Sequence, residues 1–367
     1  MNPPGSSILG LNMLLDWRDR LLSDAGFQRW SARFPLTRLV ARREARALFD
    51  ICAGFTYSQV LSACVELDLF ARVAAKPVRL EALALFCEVP EPAMRMLVDA
   101  AVSLRLLKLR KNAVRLGALG AALRGNPGVA AMVAHHRLFY ADIADPVALL
   151  RGQVETRLAS FWPYQGGSGA AAAYSALMAA TQPMIAHEIL DAYDFSRHQT
   201  ILDIGGGDGS FLRQVAMRAP AAQLQLFDLP EVAALAASRF GQAGLQSRAS
   251  VCSGDFSRDS LPAGASLVTL VRVLHDHDDA KVLHLLRAVR AILPAGGVLI
   301  VAEPFADTPG AQPVGAAYFG FYLHAMGSGR TRGASAITAL LRQAGFAKVR
   351  HVQTRQPMLT GLLIAYV

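Results

Sequence analysis

The chemistry-bearing residues of this sequence stand where apolar runs give way to polar turns. Ser266-Leu-Val-Thr-Leu-Val-Arg-Val-Leu274 runs directly into His275-Asp-His-Asp-Asp279. A neutral imidazole, with an ordinary pKa of about 6.5, accepts protons at cellular pH, so His275 is a candidate general base. Leu202-Asp203-Ile-Gly205-Gly-Gly207-Asp-Gly209-Ser210 ends in glycines, which permit positive φ and let a ligand approach the backbone. Gln223-Leu-Gln-Leu-Phe-Asp228 ends in a carboxylate suited to both hydroxyls of a ribose. Ser250-Val-Cys-Ser-Gly-Asp255-Phe256 ends in an acid beside an aromatic ring, suited to an adenine amino group and its ring face.

Alternating strands and helices must bring these ends together. Ligands in open α/β sheets bind outside the carboxyl ends of the strands, and all four runs end there. After His275, residues 278–293 have the spacing of an amphipathic helix, with Val282, Leu285, Leu286, Val289 and Ile292 on one stripe. The strand Gly297-Val-Leu-Ile-Val-Ala-Glu303 follows and carries Glu303 to the same edge. The glycine turn alone does not choose the ligand. It reads G-x-G-x-G with Ser210 where a dinucleotide fingerprint has its last glycine, which weakens NAD as a reading.

The amino-terminal third is built differently. Residues 37–70 read as helices, with Gly54 as a joint. A short helix at 79–86, a second opened by Pro90-Glu91-Pro92, and an alternating hairpin over 106–116 turning at Lys111-Asn112 form a winged-helix pattern. DNA reading requires basic residues on the second helix, which offers only Arg95, so no nucleic-acid partner is expected. Residues 118–195 read as mostly helical, with a loop at 161–167 and a helix over 170–190. The expected division is 1–125, 126–195 and 196–367.

Composition fits a globular protein of 367 residues, 53% of them hydrophobic. The net charge of +9 draws on the first 115 residues, where 17 Arg and Lys face 11 Asp and Glu, a modest excess best read as solvated surface. Cys52, Cys64, Cys87 and Cys252 form no C-x-x-C pair, which suggests reduced thiols and no metal site. The adjacent His135 and His136 cannot share one helix face, so metal binding by them is not expected. No secretory signal is read, since the short apolar run Ser7 to Leu15 lacks a basic start and is followed by Asp16 and Arg18, and no membrane span, since the apolar stretches 158–186 and 308–329 are broken by Pro and Gly.

LDIGGGDGS (202–210), FDLPEV (227–232), GDF (254–256), LHDHDD (274–279), AEP (302–304) and AGF (344–346) resemble, in order, the S-adenosylmethionine-dependent O-methyltransferases. That family includes plant phenol and caffeate enzymes and acetylserotonin methyltransferase. WRDRLL (17–22), FPLTR (34–38), ALFDICAGFTYSQVL (47–61), LVRVLHDHDDA (270–280) and YFGFYLHAMGSGR (318–330) resemble its purple-bacterial carotenoid 1-hydroxy members, the hydroxyneurosporene or demethylspheroidene methyltransferases.

The resemblance implies an α/β fold: a Rossmann-like class I methyltransferase domain with an amino-terminal helical and winged-helix dimerisation domain. It implies S-adenosylmethionine at Asp203, Gly205, Gly207, Asp228, Leu229, Asp255, Phe256 and Arg272, with S-adenosylhomocysteine as product and no metal. His275 becomes the base, with Glu303 orienting it and Asp276 beside it in the catalytic group. Where the family commonly carries a second orienting acid, this chain has Gly329-Arg-Thr-Arg-Gly333, leaving Glu303 as the nameable orienter. Tyr318, Phe319, Tyr322 and Met326 fall on the family's substrate helix, whose apolar composition suits a polyene.

A homodimer and an apolar small-molecule substrate follow from the resemblance, and the unpaired cysteines suggest a cytoplasmic location. The run Ile8 to Leu15 with Trp17, Arg18 and Arg20 suggests peripheral contact with the inner, photosynthetic membrane. Methylation of a phenol or polyketide, a winged-helix regulator that senses S-adenosylmethionine, and an NAD-dependent oxidoreductase are the competing functions.

Overall fold

A computed structural model describes residues 6–161 and 170–367. The chain forms two compact units, Met1–Ala118 and Leu119–Val367.

In the first unit, α1 (Ser6–Ser23), α2 (Ala25–Arg33) and α3 (Arg38–Glu66) precede α4 (Leu69–Arg72), β1 (Val78–Arg79), α5 (Leu80–Phe86), α6 (Glu91–Ser103), β2 (Leu107–Arg110) and β3 (Ala113–Leu116). The three strands pair in the order β1-β3-β2, and Leu80, Leu83, Met94, Val98, Leu107 and Val114 pack as the fully buried core beside them. The hairpin turns at Lys111 and Asn112, both at positive φ, as a tight turn between twisted strands requires. Arg95 donates to Asn112 Oδ1 at 2.5 Å, so the basic residue of the second helix is engaged within the fold.

The expected joint at Gly54 is absent: α3 runs unbroken through it for 29 residues. A glycine in a helix interior costs about 1 kcal/mol relative to alanine, too little to break so long a run of helix formers. By length and composition α3 could cross a membrane, and only 11% of its most apolar window is buried. It lies outside the two apolar stretches, 158–186 and 308–329, that the sequence singles out. Leu48, Ile51 and Phe55 fall on one stripe and are 65%, 79% and 69% exposed.

The division falls within the first turn of α7 (Ala118–Arg124), and the second unit continues with α8 (Pro127–Asp142), α9 (Pro146–Leu150), α10 (Arg157–Phe161) and α11 (Ala170–Ala192). The expected loop at 161–167 lies outside the described residues except for Phe161, which ends α10. The α/β layer follows: β4 (Thr200–Ile204), α12 (Ser210–Arg218), β5 (Gln223–Asp228), α13 (Pro230–Gln242), β6 (Ala249–Ser253), β7 (Leu267–Val271), α14 (Asp279–Ile292) and β8 (Val298–Glu303). A π-helical turn (Pro313–Tyr318) leads into α15 (Phe319–Met326), then α16 (Ala334–Gln343), β9 (Lys348–Val352) and β10 (Gly361–Tyr366).

The sheet order is β6-β5-β4-β7-β8-β10-β9, with β6 to β8 mutually parallel through β4 and β10 antiparallel to both its neighbours. Every residue of β7 and β8 is buried, as expected of central strands covered on both faces. The chain leaves β4 toward β5 on one side, while β7 lies on the other. That reversal of strand order opens a crevice at the carboxyl edge.

Candidate active site

The glycine turn after β4 builds the floor of the crevice. Gly205, Gly207 and Gly209 have φ of 68°, 61° and 76°, a region that disfavours any residue with a Cβ. Their surroundings separate their roles. A Cβ on Gly209 would lie 2.6 Å from the ring of Phe240, whereas nothing lies within 4 Å of one on Gly207. Gly207 therefore leaves open space for a ligand, and Gly209 permits close packing.

Asp228 reaches back to this turn. Its Oδ2 accepts from the Gly207 amide at 2.8 Å and its Oδ1 from the Leu229 amide at 2.7 Å. Burial raises its pKa to about 6 against those two amides, which favour the carboxylate. Asp203 is more deeply buried, and desolvation raises it to about 7 although Thr269 donates to its Oδ1 at 2.6 Å. Its other oxygen is buried with no hydrogen-bond partner. A buried acceptor left open beside a glycine turn fits a ligand that brings a donor.

The turn, Asp228 and Leu229, Asp255 and Phe256, and Arg272 line one cavity of about 380 Å³. Every cofactor position named from the sequence is thus brought to one place. Lys281 stands 5.2 Å from the centre of the Phe256 ring, and the ring of His277 meets it edge-on at 5.2 Å. Arg272 holds a positive φ of 57° and turns its guanidinium to α11, donating to Thr181 Oγ1 at 2.8 Å and Gln182 Oε1 at 2.5 Å. It lines the cavity while tying down a helix that covers it.

Sequence reasoning did not find Met178, Ala179 and Gln182, the contribution of α11 to this cavity. No local motif marks them, because only tertiary packing brings that helix to the crevice.

The candidate catalytic residues lie at the neighbouring strand ends. Glu303, 1% exposed at the end of β8, accepts from the backbone amides of Val273 at 2.9 Å and Leu274 at 2.7 Å through Oε1. Its Oε2 accepts from His275 Nδ1. One carboxylate thus holds both the loop that carries the histidine and the tautomer of its ring. The other ring nitrogen, Nε2, lies 3.1 Å from Asp276 Oδ1. Burial opposes charge on His275, but Asp276 and Glu303 outweigh it and push the pKa up to about 9. Burial in turn raises Asp276 to about 6.

Two acids thus stand at the ring, Glu303 and Asp276, and the Gly329–Gly333 segment supplies neither. The second carboxylate comes from the next residue in the chain. The Arg-Thr-Arg segment serves the loop in another way. The Arg330 amide donates to His275 O at 2.8 Å, while the buried Arg332 guanidinium donates to Leu274 O and His277 O, both at 2.8 Å. Its Nε reaches Asp279 at 2.8 Å. Among the described residues, no group of three or more His, Cys, Asp or Glu is placed to hold a metal ion.

Comparison with known proteins bears on this arrangement directly. The family profile of the O-methyltransferase domain matches residues 140–347. The chain belongs to the O-methyltransferase family. It is 41% identical to demethylspheroidene O-methyltransferase of Cereibacter sphaeroides over 100% of this chain and 97% of that protein. It is 43% identical to the Rhodobacter capsulatus protein of the same name, over 91% and 85%. Human N-acetylserotonin methyltransferase, solved in complex with S-adenosylmethionine, superposes with a TM-score of 0.75 at 25% identity, covering 88% of this chain and 97% of that one. The second unit has the class I methyltransferase fold.

Within this methyltransferase the expected substrate residues separate into two groups. Tyr322 and Met326 are 6% and 1% exposed and belong to a cluster with Phe139, Leu149 and Leu158. Tyr318 and Phe319 are half-buried: the Phe319 ring lies 6.2 Å from that of His275, and the Tyr318 ring 5.0 Å from Phe319.

Proposed function

We propose that this protein transfers a methyl group from S-adenosylmethionine to the 1-hydroxyl of an acyclic carotenoid of the demethylspheroidene type. The observation that carries the substrate assignment is the 41% identity, over its whole length, to a demethylspheroidene O-methyltransferase. The chemistry rests on the doubly flanked His275 at the same sheet edge as the glycine-floored cavity.

The residues present suit the cofactor. Asp228 takes the ribose hydroxyls, Asp255 and Phe256 the adenine, and the open Oδ2 of Asp203 and the Gly205 to Gly207 turn the amino-acid end. When bound, S-adenosylmethionine supplies an electrophilic methyl group on a sulfonium. His275 removes the proton of the acceptor hydroxyl as its oxygen attacks, and Glu303 holds the ring in the tautomer that leaves Nε2 to do so. The charge formed on the imidazole is stabilised by Glu303 and Asp276. A tertiary alcohol is a weak acid, so proton removal accompanies attack, and orientation and exclusion of water supply the rest.

The first unit is the natural site of homodimerisation. The exposed stripe Leu48, Ile51 and Phe55 of α3 supports pairing with a second copy. Exposed Met13, Leu14 and Trp17 of α1 support the peripheral membrane contact through which a lipid-dissolved substrate would be drawn.

Incubation with labelled S-adenosylmethionine and either a 1-hydroxy acyclic carotenoid or a panel of phenols tests the assignment. Label in the carotenoid is the expected result; label confined to the phenols defeats it. Co-sedimentation with liposomes, comparing the full chain with one lacking the first 17 residues, tests the membrane contact, and equally poor binding by both removes it.

A further inference from the structure

The two adjacent histidines of α8 take no part in the site described above. Each nevertheless has a specific partner: His135 Nε2 lies 2.7 Å from the hydroxyl of Tyr322, and His136 Nε2 lies 2.8 Å from that of Tyr318. Neighbours on a helix point about 100° apart, so they cannot share one ligand. Here they diverge to two tyrosines set one turn apart. Tyr318 closes the π-helical turn and Tyr322 lies within α15, their rings 5.8 Å apart. Single π turns recur at functional sites, where they reset which side chains a helix presents.

Both imidazoles are neutral. Burial pushes His135 down to about 4 and also lowers His136, and it raises the Tyr318 hydroxyl above its usual range. Each pair is therefore a hydrogen bond between neutral groups, and no charge enters the apolar cluster of α8, α10 and α15. The aromatic run then continues from Tyr318 to Phe319 at 5.0 Å and from Phe319 to His275 at 6.2 Å. An acceptor oxygen at His275 brings its adjoining carbons against Phe319 and, one ring further, Tyr318.

We propose that the His136–Tyr318 and His135–Tyr322 pairs determine acceptor specificity: they close both phenolic hydroxyls of this helix into internal hydrogen bonds, so that the acceptor meets ring faces and not hydroxyls. This rests on the carotenoid reading given above. A hydroxyl facing a hydrocarbon loses its hydrogen bond to water and gains nothing, whereas a polar acceptor pairs with it. Tyr318 and Phe319 form the wall. His135 and His136 are positioning residues that act through the tyrosines.

The test compares wild type, His136→Phe, Tyr318→Phe and the double variant. Binding of a 1-hydroxy acyclic carotenoid in detergent micelles is followed by its visible absorption, transfer by labelled S-adenosylmethionine, and cofactor binding by calorimetry. His136→Phe releases the Tyr318 hydroxyl: the carotenoid Kd and KM rise about tenfold, kcat and cofactor affinity stay within about twofold, and a dihydroxyphenol becomes a better acceptor. Removing that hydroxyl as well restores the carotenoid Kd in the double variant, a rescue that mere loss of packing does not give. Equal carotenoid Kd in His136→Phe and the double variant, whether both normal or both weakened, overturns the proposal. Wild-type binding without transfer removes the carotenoid reading alone, because the specificity device is read from Kd. Failure of the wild type to bind carotenoid overturns both.

Discussion

Asp276 Oδ1 lies 3.1 Å from Nε2 of His275, the residue before it, on the side of the ring opposite Glu303. An imidazole between two carboxylates holds its proton tightly, which is why its pKa moves from 6.5 to about 9. The base must be neutral to act. In the free enzyme kcat/KM therefore rises with pH, with a slope of one in log units, and levels off near pH 9. Glu303→Gln removes one of the two raising charges, so the limb moves to lower pH while the plateau falls with lost orientation. A limb unmoved in that variant would show that another group titrates.

The same shift affects stability. The folded pKa lies above the unfolded value, so the contribution of His275 is full below pH 6.5 and is lost as pH rises through about 9. Thermal denaturation across that window should show a steeper fall for wild type than for His275→Gln. Parallel curves would contradict the raised pKa.

The glycine turn predicts two different failures. Gly207→Ala incurs only the positive-φ penalty, about 1 kcal/mol, and loses cofactor affinity because its Cβ enters the open space. Gly209→Ala drives a Cβ to 2.6 Å from Phe240, and overpacking with strain costs about 2 to 4 kcal/mol. Denaturant titration and calorimetry with S-adenosylmethionine separate them; an affinity loss in Gly207→Ala no larger than its loss of stability goes against the turn as a cofactor floor.

Arg332 spans the carbonyls on either side of His275 and Asp276. Arg332→Met leaves both without that donor and costs about 2 to 4 kcal/mol. With the loop no longer pinned, kcat falls about a hundredfold, the scale of a misplacement near 1 Å, while cofactor affinity holds. Single-turnover rates at saturating cofactor provide the check, and an unchanged rate would reduce Arg332 to a stabilising role.

Phe55→Glu places a charge in the exposed stripe of α3. If that stripe pairs with a second copy, light scattering should show the dimer dissociating to monomer, with cofactor affinity retained. An unchanged mass would assign the stripe to another surface.

Much of this arrangement was legible because strand ends carry their own signals. The glycines, Asp228, Asp255 and Glu303 each terminate an apolar run, and a parallel sheet brings such ends to one edge. The two α8 histidines were read as lacking a common face, and they do diverge, but their tyrosine partners lie more than 180 positions away and no periodicity reveals them. The role of Arg332 is hidden from the sequence, because its partners are two backbone carbonyls and Asp279, 53 positions away. Gly54 misled for the opposite reason: a local breaker signal was overridden by the length of the helix around it. Tyr322 and Met326 lie on α15, and only the packing of α8 and α10 against it shows that they are buried.

The central claim is that His275 removes the acceptor proton beside a bound S-adenosylmethionine. Its most direct test is kcat for methyl transfer to a 1-hydroxy acyclic carotenoid in wild type and His275→Gln at matched cofactor saturation. The account predicts a fall of about 10² to 10⁴, with the Kd for S-adenosylmethionine within about twofold of wild type. An unchanged kcat in the variant would contradict it.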